Sequence, residues 1–303
     1  MNEHIAFIGG GNMASAIISG LLGRGFVPGQ IDVVEPFEEA RQKLQASFSI
    51  GAQAVAGDFL RRATLVVWAV KPQTFKEAAM PVRAFTSGAL HLSVAAGIPS
   101  DSISRWLGNE RVVRAMPNTP ALIGKGITGL FARAAVNAAD RALVEKVVST
   151  TGEWLWLARE KQIDAVTAIS GSGPAYMFYF MEAMASTGTE MGLTHEQAYK
   201  LAVATFIGAG ELARASSESP EVLRQRVTSK GGTTYAAITS MEDSHVKELF
   251  AKALHAADKR AAGLGGGLGG GWGGWGGGGL GGGGGGRGFF VLGCQGVARG
   301  GTG

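Results

Sequence analysis

Residues 5–14 read Ile-Ala-Phe-Ile-Gly-Gly-Gly-Asn-Met-Ala, an apolar run that breaks into glycine and passes at once into a helical pattern (Ala14, Ile17, Ile18, Leu21, Leu22). This opening constrains the fold more than any other feature of the chain. A four-residue apolar run reads as a buried strand, and the spacing that follows is G-x-G-x-x-A. In such a unit Gly9 permits a tight turn and Gly11 lets the backbone approach a pyrophosphate. Ala14 is small enough for close packing of helix on strand. Gly10, Asn12 and Met13 complete the turn. The helix N-terminus then aims free N–H groups and a partial positive charge at an anion. The unit therefore either binds a dinucleotide or is a glycine-rich βα turn without a ligand.

The same alternation continues through the first half. Apolar runs at 31–34, 65–70, 90–94 and 112–115 alternate with helical patterns near 38–47, 74–85, 102–106 and 138–150. Residues 126–132 and 153–157 offer further strands. This pattern predicts βαβ units around a parallel sheet. From about residue 163 strand signals vanish. Pro174 stands in the first turn of a helix reaching about residue 191, and Thr194 with Gln197 forms a capping box. Ser219-Pro220 opens another helix, and residues 234–262 give one or two more. The expected class is α/β: a Rossmann-type parallel-sheet domain (1–160) followed by an all-helical domain (161–262).

Residues 263–303 differ from both, being mostly glycine broken by Leu, Trp, Arg and Phe. Ordering so many glycines costs more entropy than the segment's few apolar groups can offset. Gly, Trp and Arg all have G-rich codons, which points to a shifted or read-through frame, with a genuine disordered tail as the alternative. Trp272, Trp275 and Cys294 carry no functional weight on either reading.

Hydrophobic residues make up 46% of the 303-residue chain and the net charge is +4. Lys and Arg are scattered, so no nucleic-acid stripe is expected. The single cysteine excludes a disulfide framework and a cysteine metal site, and fits a reducing cytoplasm. The five histidines show no metal-ligand spacing. His195 and His255 fall on helical segments as surface or packing residues. The first strand starts the domain directly, so no secretory leader is expected. The charge-free run 165–181 is too short and too broken by glycine and proline to span a membrane.

Several further segments can carry chemistry. Ala69-Val70-Lys71-Pro72 ends a strand, where open α/β sheets bind ligands. Lys71 meets a cofactor phosphate or ribose there, or is a solvated loop lysine. The small residues Ala95, Ala96 and Gly97 end another strand and let a flat ring lie against the backbone, unless they only pack tightly. Asn118, in Met-Pro-Asn-Thr-Pro, offers a donor and an acceptor to a cofactor edge or merely caps a rigid turn. Ser170-Gly-Ser-Gly-Pro-Ala-Tyr176 allows close approach of a ligand or of another helix. Ser229, Gly231, Gly232, Thr233 and Thr234 lie between two helices, forming either an anion nest suited to a small carboxylate or a capped turn. Glu160 and Asp164, four residues apart, read as a solvated face unless a ligand sits there.

Taken together these segments resemble the pyrroline-5-carboxylate reductases over about residues 3–262. The resemblance rests on Phe7–Met13, Ala69–Gln73, Met116–Pro120 and Asp164–Tyr176. It rests most on Leu223, Val227, Thr228, Ser229, Gly231, Gly232, Thr234, Ala237, Ile238 and Met241. It implies reduction of 1-pyrroline-5-carboxylate to L-proline by NADPH, with NADH as the alternative and no metal. By that resemblance the loop at 231–234 holds the substrate carboxylate through backbone N–H groups. Thr234 hydrogen-bonds the imine nitrogen as the catalytic residue, and Glu160 stands beside the substrate. Helical domains would intertwine into a homodimer, often assembled further, with active sites between domains of two subunits.

Three positions depart from the family pattern. Lys230 replaces a usual proline. Val55-Ala-Gly-Asp58 replaces a usual Asp-Asn, which leaves that adenosine-side contact unassigned. Glu35 ends the second strand, where a carboxylate bonds a ribose 2′-hydroxyl and repels a 2′-phosphate, although Pro36 can turn it away. A β-hydroxyacid dehydrogenase has a similar plan but needs a lysine on the helix after the Ser170–Pro174 turn, and none occurs before Lys200. A non-catalytic dinucleotide-binding protein is the other alternative.

Overall fold

The computed structural model describes residues 3–269. Eight strands form one sheet: β1 (Ile5–Ile8), β2 (Ile31–Val34), β3 (Ala52–Gln53), β4 (Leu65–Trp68), β5 (Leu90–Ser93), β6 (Val112–Met116), β7 (Gly126–Ala132) and β8 (Gly152–Trp156). Their spatial order is β3-β2-β1-β4-β5-β6-β7-β8. All neighbours pair in parallel except β6 and β7, which run antiparallel. The helices between them are α1 (Asn12–Gly23), α2 (Glu38–Phe48), α3 (Phe75–Val82), α4 (Ser100–Leu107) and α5 (Ala138–Val148).

Strand alternation divides the apolar residues between two cores. Ile5, Phe7, Val33, Val67 and Leu92 face α1, α2 and α5, and meet Ile17, Ile18, Leu21, Leu44 and Val147. Ala6, Ile8, Val66 and Trp68 face the other way, toward Phe75, Ala79 and Val82 of α3 and Ile103 and Leu107 of α4. Every residue of β1, β2, β4 and β5 is buried, as strands covered on both faces must be. α1 is helical for the same reason. Ala14, Ile17, Ile18 and Leu21 recur at three- and four-residue intervals and bury one stripe.

The helical half comprises α6 (Gln162–Val166), α7 (Gly173–Glu190), α8 (His195–Ala215), α9 (Pro220–Arg226), α10 (Thr233–Asp243) and α11 (Val246–Gly269). A wider turn over Thr167–Gly171 joins α6 to α7, with the Ser172 N–H reaching back to the Thr167 carbonyl. α7 and α8 form a hairpin whose helices approach closely through small residues. A Cβ on Gly188 would lie 2.9 Å from that of Ala198. The capping box predicted at Thr194 and Gln197 is present. Tyr176 and Phe180 of α7 pack their rings against Phe250 of α11.

The structure differs from the sequence expectation in a few places. Two-residue β3 is too short to leave a periodic trace. β7 reverses direction and β8 follows it, so these two strands run against β1–β6; the connection from Met116 to Gly126 is too short for a crossover helix. α11 continues to Gly269, past the expected limit at 262. The rest of the glycine-rich segment, with Trp272, Trp275 and Cys294, lies outside the described residues. No helix among the described residues is long and apolar enough to cross a membrane.

One buried group makes stability depend on pH. The Trp68 indole donates to His91 Nδ1 at 3.1 Å, and His91 is 1% exposed. Burial lowers the imidazole pKa from 6.5 to about 4. The denatured chain therefore takes up a proton below pH 6.5 that the native chain refuses until about pH 4. Stability contributed by this group is complete above pH 6.5 and is lost as the pH falls toward 4, by about 3 kcal/mol in all. Denaturant titrations at a series of pH values check this: His91→Gln flattens the acid limb of the stability profile.

Candidate active site

The sheet reverses its winding between β1 and β4, and the crevice outside their carboxyl ends is where such sheets take ligands. The backbone sets the loop starts in one row along this edge. The Gly9 N–H donates to the Val34 carbonyl, Ala69 N–H to Ile8, Val94 N–H to Trp68, and Glu35 N–H to Gln53. Gly9 has φ +95°, and a Cβ there would lie 2.6 Å from the Ala69 carbonyl oxygen. A Cβ on Gly10 would strike Leu44. On Gly11 it would meet nothing within 4 Å, so the third glycine faces open space. α1 begins at Asn12 with Gly11 as its N-cap, no side chain capping it and no acidic residue in its first turn. The N–H groups at Asn12 and Met13 thus remain for an anion. Two glycines closed by protein and a third open beside an uncapped helix fit a pyrophosphate.

Glu35 does not turn away. Its Oε2 accepts from the Gly10 N–H at 2.7 Å and its Oε1 from the Phe37 N–H at 2.9 Å. Arg41, one turn into α2, directs Nη1 at the carbonyls of Glu35 and Pro36. Phe37 and Val55 stand exposed in the loops after the paired strands β2 and β3. After β4, Val70 and Pro72 are half-buried while Lys71 is exposed and its carbonyl holds the turn through Thr74. After β5, Ala95 is buried, Ala96 is half-buried and Gly97 has φ +73°. Asn118 Oδ1 accepts from the Ile127 N–H at 3.0 Å, clasping the loop between β6 and β7 and leaving its amide N–H groups over. The turn before α7 reaches this edge as well: a Cβ on Gly171 would touch Met116.

Glu160 has a role that sequence reasoning missed. Its Oε1 accepts from the Ser100 N–H at 2.6 Å and from Arg114 Nη1 at 2.7 Å, and its Oε2 accepts from the Ser100 hydroxyl at 2.6 Å. The carboxylate thus caps α4, whose start follows the Ala95–Gly97 turn. Arg114, on β6 and 7% exposed, had no motif to mark it; only its position in a strand that is otherwise apolar sets it apart. Asp164, beside this cluster, is pushed up by burial, partly opposed by Arg114.

The loop between α9 and α10 is built as an uncapped helix start. Gly231 has φ +76°, the Gly232 N–H bonds the Ser229 carbonyl, and Gly232 is the N-cap of α10 with no side-chain cap bond. Ser229 and Thr233 are exposed and Thr234 is half-buried at this helix start. Among the described residues, no hydrogen bond or ion pair joins this loop to the strand ends that carry Gly9, Ala69 and Ala95. Nor does any group of three or more His, Cys, Asp or Glu among the described residues suit a metal ion.

Residues 4–97 match the family model for NADP oxidoreductase, coenzyme F420-dependent. Residues 160–264 match that for pyrroline-5-carboxylate reductase dimerisation. The chain is 45% identical over 262 residues to a pyrroline-5-carboxylate reductase of Pseudomonas aeruginosa, covering 86% of this chain and 96% of that one. It is 38% identical to one of Haemophilus influenzae, covering 85% and 96%. Among solved structures, a pyrroline-5-carboxylate reductase of Coxiella burnetii superposes with a TM-score of 0.83 at 38% identity, covering 87% of this chain and 99% of that one. The Plasmodium falciparum pyrroline carboxylate reductase with NADP bound gives 0.77 at 26% identity, covering 87% and 98%. By these matches along almost its whole described length, the chain belongs to the pyrroline-5-carboxylate reductase family.

Proposed function

We propose that this protein reduces 1-pyrroline-5-carboxylate to L-proline, the last step of proline biosynthesis, with a reduced nicotinamide dinucleotide. The observation that carries the reading is the pairing of an open glycine turn at Gly9–Gly11 with an uncapped, glycine-led helix start at Gly231–Thr234 on one family-matched chain. The dinucleotide supplies a hydride to the imine carbon. Gly11, Asn12 and Met13 hold its pyrophosphate. The Ala69–Pro72 and Ala95–Gly97 turns, with Asn118, shape the edge along which the rest of it lies. N–H groups at the start of α10 hold the substrate carboxylate together with Ser229, Gly231, Gly232 and Thr233. The Thr234 hydroxyl donates a hydrogen bond to the imine nitrogen, which takes its proton from solvent water as the hydride adds to carbon, and keeps the ring carbon turned to the hydride.

Residues 1–160 form the dinucleotide half and 161–262 the substrate and assembly half. A homodimer brings the two half-sites together. Support comes from the dimerisation match and from apolar side chains left exposed on the helical half, among them Phe178, Tyr179, Tyr199, Leu201, Ile207 and Leu212. A groove of about 780 Å³ between α7 and α8 is lined by Phe178, Met181, Ala185 and Tyr199. A single cysteine supports a cytoplasmic enzyme. Glu160 enters as a positioning residue. By fixing Ser100 at the start of α4, it holds the turn against which the cofactor lies.

An assay of cofactor oxidation with 1-pyrroline-5-carboxylate on the full chain tests the reading; absence of turnover with both NADPH and NADH overturns it. Thr234→Ala is expected to lower kcat/KM for the imine at least tenfold while dinucleotide affinity, read by fluorescence, stays within about twofold. Glu160→Ala leaves Arg114 without its carboxylate and is expected to cost about 2 kcal/mol or more in denaturant unfolding. Glu160→Gln keeps an acceptor for Ser100 and is expected to lose less. A rise in the KM for the dinucleotide, rather than a fall in kcat alone, marks the positioning role.

A further inference from the structure

We infer that Glu35 makes this enzyme a reader of the ribose 2′-hydroxyl, so that it prefers NADH to NADPH. The inference rests on the dinucleotide site described above. The two cofactors share every group that meets Gly9–Gly11, and they differ only at the adenosine 2′ position, beyond the carboxyl end of β2. Glu35 stands there, 6% exposed, with its carboxylate locked between two backbone N–H groups, Gly10 at 2.7 Å and Phe37 at 2.9 Å.

Three consequences follow from that geometry. First, Pro36 does not carry the carboxylate away; it stays anchored to the glycine turn that places the pyrophosphate. Second, each carboxylate oxygen has given one lone pair to a backbone N–H and retains another. A ribose hydroxyl can donate to that acceptor, whereas a 2′-phosphate brings only oxygens of like charge. Third, the turn adds more negative charge than positive. Glu38 and Glu39 open α2, and Arg41 is the sole cation between residues 35 and 41. Arg41 already donates through Nη1 to the carbonyls of Glu35 at 3.0 Å and Pro36 at 2.7 Å, which fixes its guanidinium on the backbone. A buried, hydrogen-bonded carboxylate is weakly screened by salt, so its repulsion of a phosphate persists at physiological ionic strength.

Equilibrium titration of the full-length protein with NADH and NADPH, followed by fluorescence of the bound nicotinamide, tests the inference without turnover. The expected result is a dissociation constant at least tenfold lower for NADH. Competition by 5′-AMP against adenosine 2′,5′-bisphosphate isolates the adenosine end and needs no variant. Glu35→Gln and Glu35→Ser are expected to shrink the NADH preference tenfold or more, chiefly by tightening NADPH. Arg41→Ala is expected to change both affinities alike. Equal affinity or an NADPH preference in the unaltered protein overturns the inference. So does an NADH preference that survives both Glu35 substitutions, or a loss confined to NADPH in Arg41→Ala. Binding of neither dinucleotide overturns the site itself.

Discussion

The approach of Gly9 to Ala69 is the constraint on which the rest of the site depends. Where β1 and β4 separate, the chain must leave one strand toward α1 and the other toward α3, on opposite faces of the sheet. The turn after β1 passes so near the Ala69 carbonyl that no side chain fits between them, and it does so at a φ that L-residues rarely adopt. Closing that turn aims the N-terminus of α1 into the crevice and puts the Gly10 N–H within reach of Glu35. The sites we propose for the pyrophosphate and for discrimination at the 2′ position thus both follow from one backbone contact.

A second tie operates at the other side of the sheet. Glu160 begins the stretch of chain that becomes the helical half, yet its three hydrogen bonds all go back to the sheet half, to Ser100 and Arg114. Through Ser100 it steadies α4, and through α4 the turn at Ala95–Gly97. The wide turn at Thr167–Gly171 sits next in sequence and packs Gly171 on Met116. The start of the helical half is therefore fastened to the sheet by a charged cluster at Glu160 and by close packing of Gly171 on Met116 and of Val166 on Gly129.

How much of this could be read from the sequence varies with the physical range of each interaction. Strands with continuous apolar runs, the helix at Ala14–Leu21 and the Thr194 cap were legible because each is decided within a few neighbouring residues. The family's motif residues fall on the two uncapped, glycine-led helix starts, Gly9–Asn12 and Gly231–Thr234. What sequence could not give is long-range and polar. Nothing adjacent to Glu160 in sequence names Ser100 or Arg114, sixty and forty-six residues away. The direction of the Glu35 carboxylate was open for the same reason, since it depends on where Gly10 lies in space. β3, two residues long, and the antiparallel course of β7 are set by pairing with neighbours and not by local pattern.

The tie between Arg114 and Glu160 also has a bearing on the order in which the chain takes shape during its synthesis. All eight strands precede residue 157, so the complete sheet has left the ribosome's active centre before α6 is made. Arg114, set in β6, emerges ahead of the carboxylate that pairs with it. Glu160 is translated four residues after the last strand ends. The carboxylate that pairs with Arg114 is thus also the point at which the chain leading into the helices is tied back to the sheet.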